Sequence, residues 1–145
     1  MPAGRRPFPV AGLPAAVSFA EAFAQVPQEQ RRPLRALLGI GGNAAEPVYV
    51  DFAGRQATFL VAGPPGSGRS NTLATLAVSL LAGGTALVIL TPRESVLRRL
   101  AAHARVRTVE GATPDPARVT AAVEELGGPS VVLVDDVDLF GFANP

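Results

Sequence analysis

The chain has 145 residues, a length that suits one domain with a sizeable core and is too short for two. Its formal net charge is only +1, so no global basic field indicates binding to nucleic acid or to a membrane surface. Because there is no cysteine, disulfides, thiolate metal sites and cysteine nucleophiles are excluded. No apolar run reaches the roughly 18–20 residues that span a bilayer. We therefore expect a cytoplasmic protein without a membrane segment.

The N-terminal part, residues 1–36, is predicted to be a lead-in to a core that spans 37–145. Its first residues are rich in proline, glycine and arginine, a composition typical of a flexible segment. Ser18 and Glu21 have the spacing of a capping box, which predicts a short helix that Pro27 ends.

A pair of strands joined by a turn is predicted at the start of the core. Glycines at 39, 41 and 42 predict turns, and the alternation of apolar and polar residues over 48–52 predicts a half-exposed strand. A turn at 53–55 then leads to a predicted strand over Ala57–Ala62, so we expect a β-hairpin. The apolar run at 58–61 is predicted to be buried on both faces.

Helices and strands are predicted to alternate from residue 70 onward. The predicted helices span about 70–82, 94–103 and 117–126, and the predicted strands span 86–90, 106–109 and 131–134. The strands at 86–90 and 131–134 are continuously apolar, which again predicts burial on both faces. Repeated strand–helix units indicate an α/β fold with a parallel sheet flanked by helices.

A glycine-rich loop precedes the helix at 70–82. It matches the P-loop pattern, with arginine at the usual lysine position. Glycines let backbone amides point into one concavity, where the helix dipole adds positive potential, so the loop suits phosphates. A glycine-rich turn without a ligand is the alternative. The predicted nucleotide-binding residues are Gly63, Pro64, Pro65, Gly66, Ser67, Gly68, Arg69, Ser70 and Asn71.

Two acids follow the strand at 131–134. Ser70 and Asp135 are predicted to hold Mg²⁺, because hydroxyl and carboxylate oxygens are ligands that this ion prefers. Asp136 lies where many P-loop ATPases place the carboxylate that polarises the attacking water, so it is the predicted catalytic residue. Two solvated acids at a strand end are the alternative, which the phosphate loop makes less favoured.

These motifs together resemble the ATPase module of the FtsK/SpoIIIE family, from about Gly39 to Phe140. The resemblance implies a RecA/ASCE-like P-loop NTPase fold that binds ATP and Mg²⁺. Its relatives include DNA-translocating motors and type VII secretion ATPases, so DNA, a secretion partner and a homo-oligomer are expected partners. Four segments carry the resemblance: Val48–Asp51, Thr58–Gly63, Ser67–Ser70 and Val134–Asp136.

The sequence departs from the active family pattern in three ways. Arg69 replaces a lysine, and its planar guanidinium is not a compact point charge. Asp136 replaces the more common glutamate, so the carboxylate at this position reaches less far from the backbone. The resembled fold continues with further strands, including one between the strand before the P-loop (57–62) and the strand before the two acids (131–134), which is called the Walker B strand. We therefore expect a sheet that is truncated after the Walker B strand or completed in another way.

Three functional interpretations remain open at this point. The leading one is a module that binds Mg-ATP or Mg-ADP with weak or no hydrolysis. The second is an active ATP-driven translocase of DNA or protein, assembled as a ring. The third is a non-enzymatic docking module with a closed pocket, in which Asp135 or Asp136 would hold Arg69. A cluster of arginines between 93 and 107 is interpreted as a solvated face, with contact to nucleic-acid phosphates as the alternative.

Overall fold

The computed structural model describes residues 9–54 and 58–141. No helix in these ranges is both long enough and apolar enough to cross a bilayer. The helices and strands are α1 (Phe19–Ala24), β1 (Arg35–Gly41), β2 (Glu46–Asp51), α2 (Arg69–Ala82), β3 (Ala86–Thr91), β4 (Val106–Glu110), α3 (Pro116–Leu126) and β5 (Ser130–Val134). Short 3₁₀ helices cover Gln28–Gln30, Val96–Leu100 and Val137–Leu139.

A parallel sheet with the strand order β4-β3-β5 forms the centre of the fold. In its register Val88 of β3 lies between Arg107 of β4 and Val132 of β5. Helix α2 packs on one face of β3 and α3 packs on the other. The predicted α/β class, a parallel sheet flanked by helices with a hairpin on its N-terminal side, is confirmed.

Strand β3 is the best-buried element of the described chain, because all six of its residues are buried. Leu87 and Ile89 point to one face, where they pack with Leu76 of α2. Val88 points to the other face and packs with Ala122 of α3. Alternate residues of a strand face opposite sides of the sheet, so a strand between two helices must be apolar throughout. The prediction of a doubly buried strand here is confirmed.

Strand β5 is similarly apolar but has a different environment. Of its five residues only Leu133 is buried, and Val132 is 43% exposed. Helix α3 packs over β3 and β4. No strand within 9–54 or 58–141 pairs with the outer edge of β5. The prediction that this strand is buried on both faces is therefore wrong.

The hairpin forms between different strands from those predicted. β2 pairs with β1, which runs through Gly39 and Gly41, where turns were expected. The turn predicted at Gly42 is confirmed: it covers residues 42–45, and Gly42 has a φ of +72°. The reason is tertiary packing: Leu37 of β1 is buried, and its backbone amide donates to Ser79 Oγ of α2 at 2.7 Å.

The segment that leads into the phosphate loop forms no strand over residues 58–62, contrary to the prediction. Its other predicted residue, Ala57, and the end of the predicted turn lie outside the described residues. Leu60 is 75% exposed. An apolar run becomes a strand only when its backbone groups pair with a neighbour. No such neighbour is present in the described part of the chain.

Two further predicted helices differ in outcome. The helix at 94–103 is reduced to the 3₁₀ helix Val96–Leu100, because the chain must turn back to β4 within a few residues and i→i+3 bonds tighten it. The short N-terminal helix is present as α1, and the capping box between Ser18 and Glu21 is formed. This helix packs on β1 through Ala22. The division of the chain at residue 36 stays a prediction.

Candidate nucleotide-binding site

The phosphate loop, residues 63–70, depends on its three glycines. Gly66 and Gly68 have φ values of +78° and +90°, which other residues adopt only with strain. A Cβ at Gly63 would lie 2.5 Å from Ser67 Oγ, so any larger residue there would have to displace the serine side chain. Backbone conformation therefore favours glycine at 66 and 68, and the packing of Ser67 favours it at 63.

The loop leaves backbone donors without partners at the start of α2. Gly68 is the N-cap residue and offers no side-chain acceptor. Thr72 is the first residue of α2 whose amide donates to a carbonyl, that of Gly68, at 2.9 Å. Within the described residues, the amides at 66 and 68–71 have no hydrogen-bond partner. These donors lie at the positive end of the helix dipole, where an anion is stabilised.

The two predicted metal ligands are in direct contact. Ser70 Oγ donates to Asp135 Oδ1 at 3.0 Å, and the residue Asp135 is only 2% exposed. Mg²⁺ is commonly held by one or two protein oxygens, with water and phosphate oxygens completing its shell. A hydroxyl beside a buried carboxylate, next to a phosphate loop, fits that donor set.

A second serine, which belongs to no sequence motif, also holds Asp135. Ser95 Oγ donates to Asp135 Oδ2 at 2.5 Å. Ser95 follows β3, the parallel neighbour of β5, so both residues lie at the carboxyl edge of the sheet. Ligands of open α/β sheets bind at that edge. This rule, applied to the residues after 91, is the signal in the sequence that would have pointed to Ser95.

Asp136 lies between two arginines. Arg93 Nε donates to its Oδ2 at 2.7 Å, and Arg69 Nη2 lies 3.5 Å from its Oδ1. The hydrogen bond from Arg93 holds the pKa of Asp136 below its ordinary range, although burial opposes this; the charges of Arg93 and Arg69 lower the pKa further. The same hydrogen bond raises the pKa of Arg93. The predicted catalytic carboxylate is therefore ionised and already paired.

A groove of about 620 Å³ lies beside the phosphate loop. Residues 58–61 and strand β5 line it, together with Arg69, Asp135 and Asp136. Its walls are mainly the apolar side chains of these two segments. Residues 63–68 of the loop do not line the groove, so it adjoins the phosphate-binding region rather than containing it.

The sequence model of the FtsK/SpoIIIE family matches residues 21–128. No curated protein and no solved structure shows significant similarity to the chain. The matched region contains the phosphate loop, β3 and Arg93, and it ends before Asp135 and Asp136. These two acids are therefore assigned to the site by their contacts with Ser70, Ser95 and Arg93. The match covers well over half of the chain, so the chain belongs to the FtsK/SpoIIIE family.

Proposed function

We propose that this domain binds ATP or ADP together with Mg²⁺ and hydrolyses ATP weakly or not at all. The observation that carries the proposal is the juxtaposition of unpartnered amides at the start of α2 with the Ser70–Asp135 pair. A polyphosphate needs donors for its oxygens and a cation for its charge. The amides of Gly66, Gly68 and Arg69 are suited to the first need.

Ser70 and Asp135 are the residues that would hold Mg²⁺. When bound, the ion would offset the charge of the phosphate oxygens and help to orient them. Asp135 is held before any ligand arrives, because each of its two oxygens accepts a hydrogen bond from a serine hydroxyl. A carboxylate that is already oriented loses little conformational freedom on binding, which favours affinity.

Weak hydrolysis follows from the state of Asp136 and from the identity of residue 69. A general base works best when its pKa lies near the working pH, whereas the pKa of Asp136 is held low by Arg93. The Arg69 guanidinium is larger than the ammonium group that usually contacts the phosphates. We expect ATP turnover by the isolated domain to be near background in a phosphate-release assay. A steady rate of about one per second or faster would instead favour an active motor.

Nucleotide binding is tested by thermal unfolding with and without Mg-ATP. We expect Mg-ATP at millimolar concentration to raise the Tm of the wild-type domain by several degrees, because a ligand that binds only the native state stabilises it by mass action. The Arg69→Lys variant is the matched comparison: it should bind as well or better, since lysine restores the point charge and the loop glycines are unchanged.

The docking interpretation predicts a different pair of results. If Arg69 serves to close the pocket against Asp136, its replacement by lysine should lower the Tm, and nucleotide should have no effect on either protein. The single contact of 3.5 Å between Arg69 and Asp136 is not the bidentate pair that a strong closure would show. Absence of a shift in both proteins would contradict the proposed function.

A further inference from the structure

Arg93 lies at the phosphate-binding edge of the sheet although it belongs to no phosphate-binding motif. It follows β3 by two residues, and Asp136 follows β5 by two residues. Because β3 and β5 are parallel neighbours, the residues that follow them meet at one edge. The start of α2 is at the same edge, as the bond from Ser70 to Asp135 shows.

The side chain of Arg93 is available to a ligand. It is 63% exposed, and Asp136 is its one hydrogen-bond partner among the described residues. That bond uses Nε, so the two Nη groups have no partner in the described part of the chain. The other oxygen of Asp136 faces Arg69, a residue of the phosphate loop. A single carboxylate thus lies between two guanidinium groups.

An oxyanion between two guanidinium groups is also the arrangement in which a phosphate is bound. Guanidinium forms strong, charge-assisted hydrogen bonds with carboxylate and with phosphate alike. A triphosphate on the loop would direct its terminal phosphate toward the metal ligands and the acid that follows them. Asp136 occupies the edge of that space with an oxyanion of the protein's own, at 2.7 Å from Arg93.

We propose that Arg93 binds the terminal phosphate of the nucleotide and makes the site prefer a triphosphate over a diphosphate. In the nucleotide-free state Arg93 is paired with Asp136, and its guanidinium turns to the phosphate when a triphosphate binds. A diphosphate does not reach it, so the Arg93–Asp136 pair persists. This inference rests on the proposed function, and it assigns specificity to a residue outside the P-loop and the Walker B strand.

The test compares the Kd of a non-hydrolysable ATP analogue with that of ADP, both with Mg²⁺, by isothermal titration. We expect Arg93→Gln to raise the Kd of the ATP analogue about tenfold or more, because a charge-assisted contact is lost. The Kd of ADP should change by less than about twofold. Arg99→Gln is the matched control. Arg99 is exposed on the same segment, carries the same charge and makes no ion pair within the described residues.

A second variant keeps the test decisive if Arg93→Gln is poorly folded. Asp136→Asn removes the competing carboxylate and leaves a residue that tolerates the same backbone conformation. We expect this variant to lower the Kd of the ATP analogue more than the Kd of ADP. Most of that gain in affinity should disappear in the Arg93→Gln/Asp136→Asn double variant. A gain that survives in the double variant would be a general effect of charge and would count against a contact with Arg93.

Two results overturn the inference in distinguishable ways. Suppose that the wild-type domain binds both nucleotides, and that Arg93→Gln weakens the binding of both equally or of neither. Arg93 then does not contact the terminal phosphate, and only the inference fails. If the wild-type domain binds neither nucleotide, the proposed function fails as well.

Discussion

Strands β3 and β5 have almost the same kind of sequence and very different environments. Both are continuous apolar runs, and they pair in register, with Val88 opposite Val132. β3 has a strand on each edge and a helix on each face, and all of its residues are buried. Among the described residues β5 has one strand partner. Helix α3 packs over β3 and β4, so the face of β5 on the same side of the sheet is open to solvent. Burial is thus decided by the neighbours that a strand acquires, and the composition of the strand alone does not report it.

The largest effect that this comparison predicts concerns the two paired valines. Val88→Ala should destabilise the domain by about 2–3 kcal/mol, because it removes buried methyl groups and leaves a cavity in the cluster packed under α3. The same substitution at Val132, which is already 43% exposed, should cost less than about 1 kcal/mol. Chemical denaturation of both variants measures the difference. Equal losses would show that the open face of β5 is covered in solution.

A smaller effect is expected where the two strands are joined at their carboxyl ends. Ser95, which follows β3, bonds Asp135, which follows β5. Ser95→Ala should destabilise the domain by about 1 kcal/mol, since one hydrogen bond to a buried carboxylate and the cap of a short 3₁₀ helix are both lost. Ser95→Thr keeps the hydroxyl and is the control. A loss of the same size in the threonine variant would point to packing rather than hydrogen bonding.

The smallest effect is a dependence of stability on pH. The folded-state pKa of Asp136 is lowered, so its pairing with Arg93 stabilises the native state at pH values above the ordinary aspartate pKa of about 3.9. This contribution is lost as the pH falls below that value and through the lowered pKa. The free energy of unfolding of the wild-type domain should therefore decline more steeply in that acid range than that of Asp136→Asn. Parallel declines would show that the pair makes no net contribution.

The phosphate loop and the helix after it could be predicted from the sequence because their signals are local. The glycines of the loop fix its backbone within a few residues, and α2 starts within one residue of the predicted position. The partner of β2 was not predictable in the same way. It depends on Leu37 being buried and bonded to Ser79 of α2, a contact between residues far apart in the chain.

In the candidate site, too, some residues can be predicted from local sequence and others cannot. Ser70, Asp135 and Asp136 belong to sequence motifs and are found together in the structure. Arg93 and Ser95 belong to no motif, and the arginine was interpreted as part of a solvated face. They reach the acids because two parallel strands end side by side, a consequence of pairing that no local pattern records.

The backbone of Asp136 bears on the choice between two acids at this position. Its φ and ψ of 49° and 53° place it in the left-handed region. Most side-chain-bearing residues adopt that conformation at a cost of about 1–2 kcal/mol, while aspartate and asparagine enter it more readily because their short side chains bond locally. A glutamate would extend one methylene further toward a substrate, but it would have to hold this turn without that local preference. The shorter acid, which from the motif alone resembles a weakened catalytic group, is the one that the geometry of the turn favours.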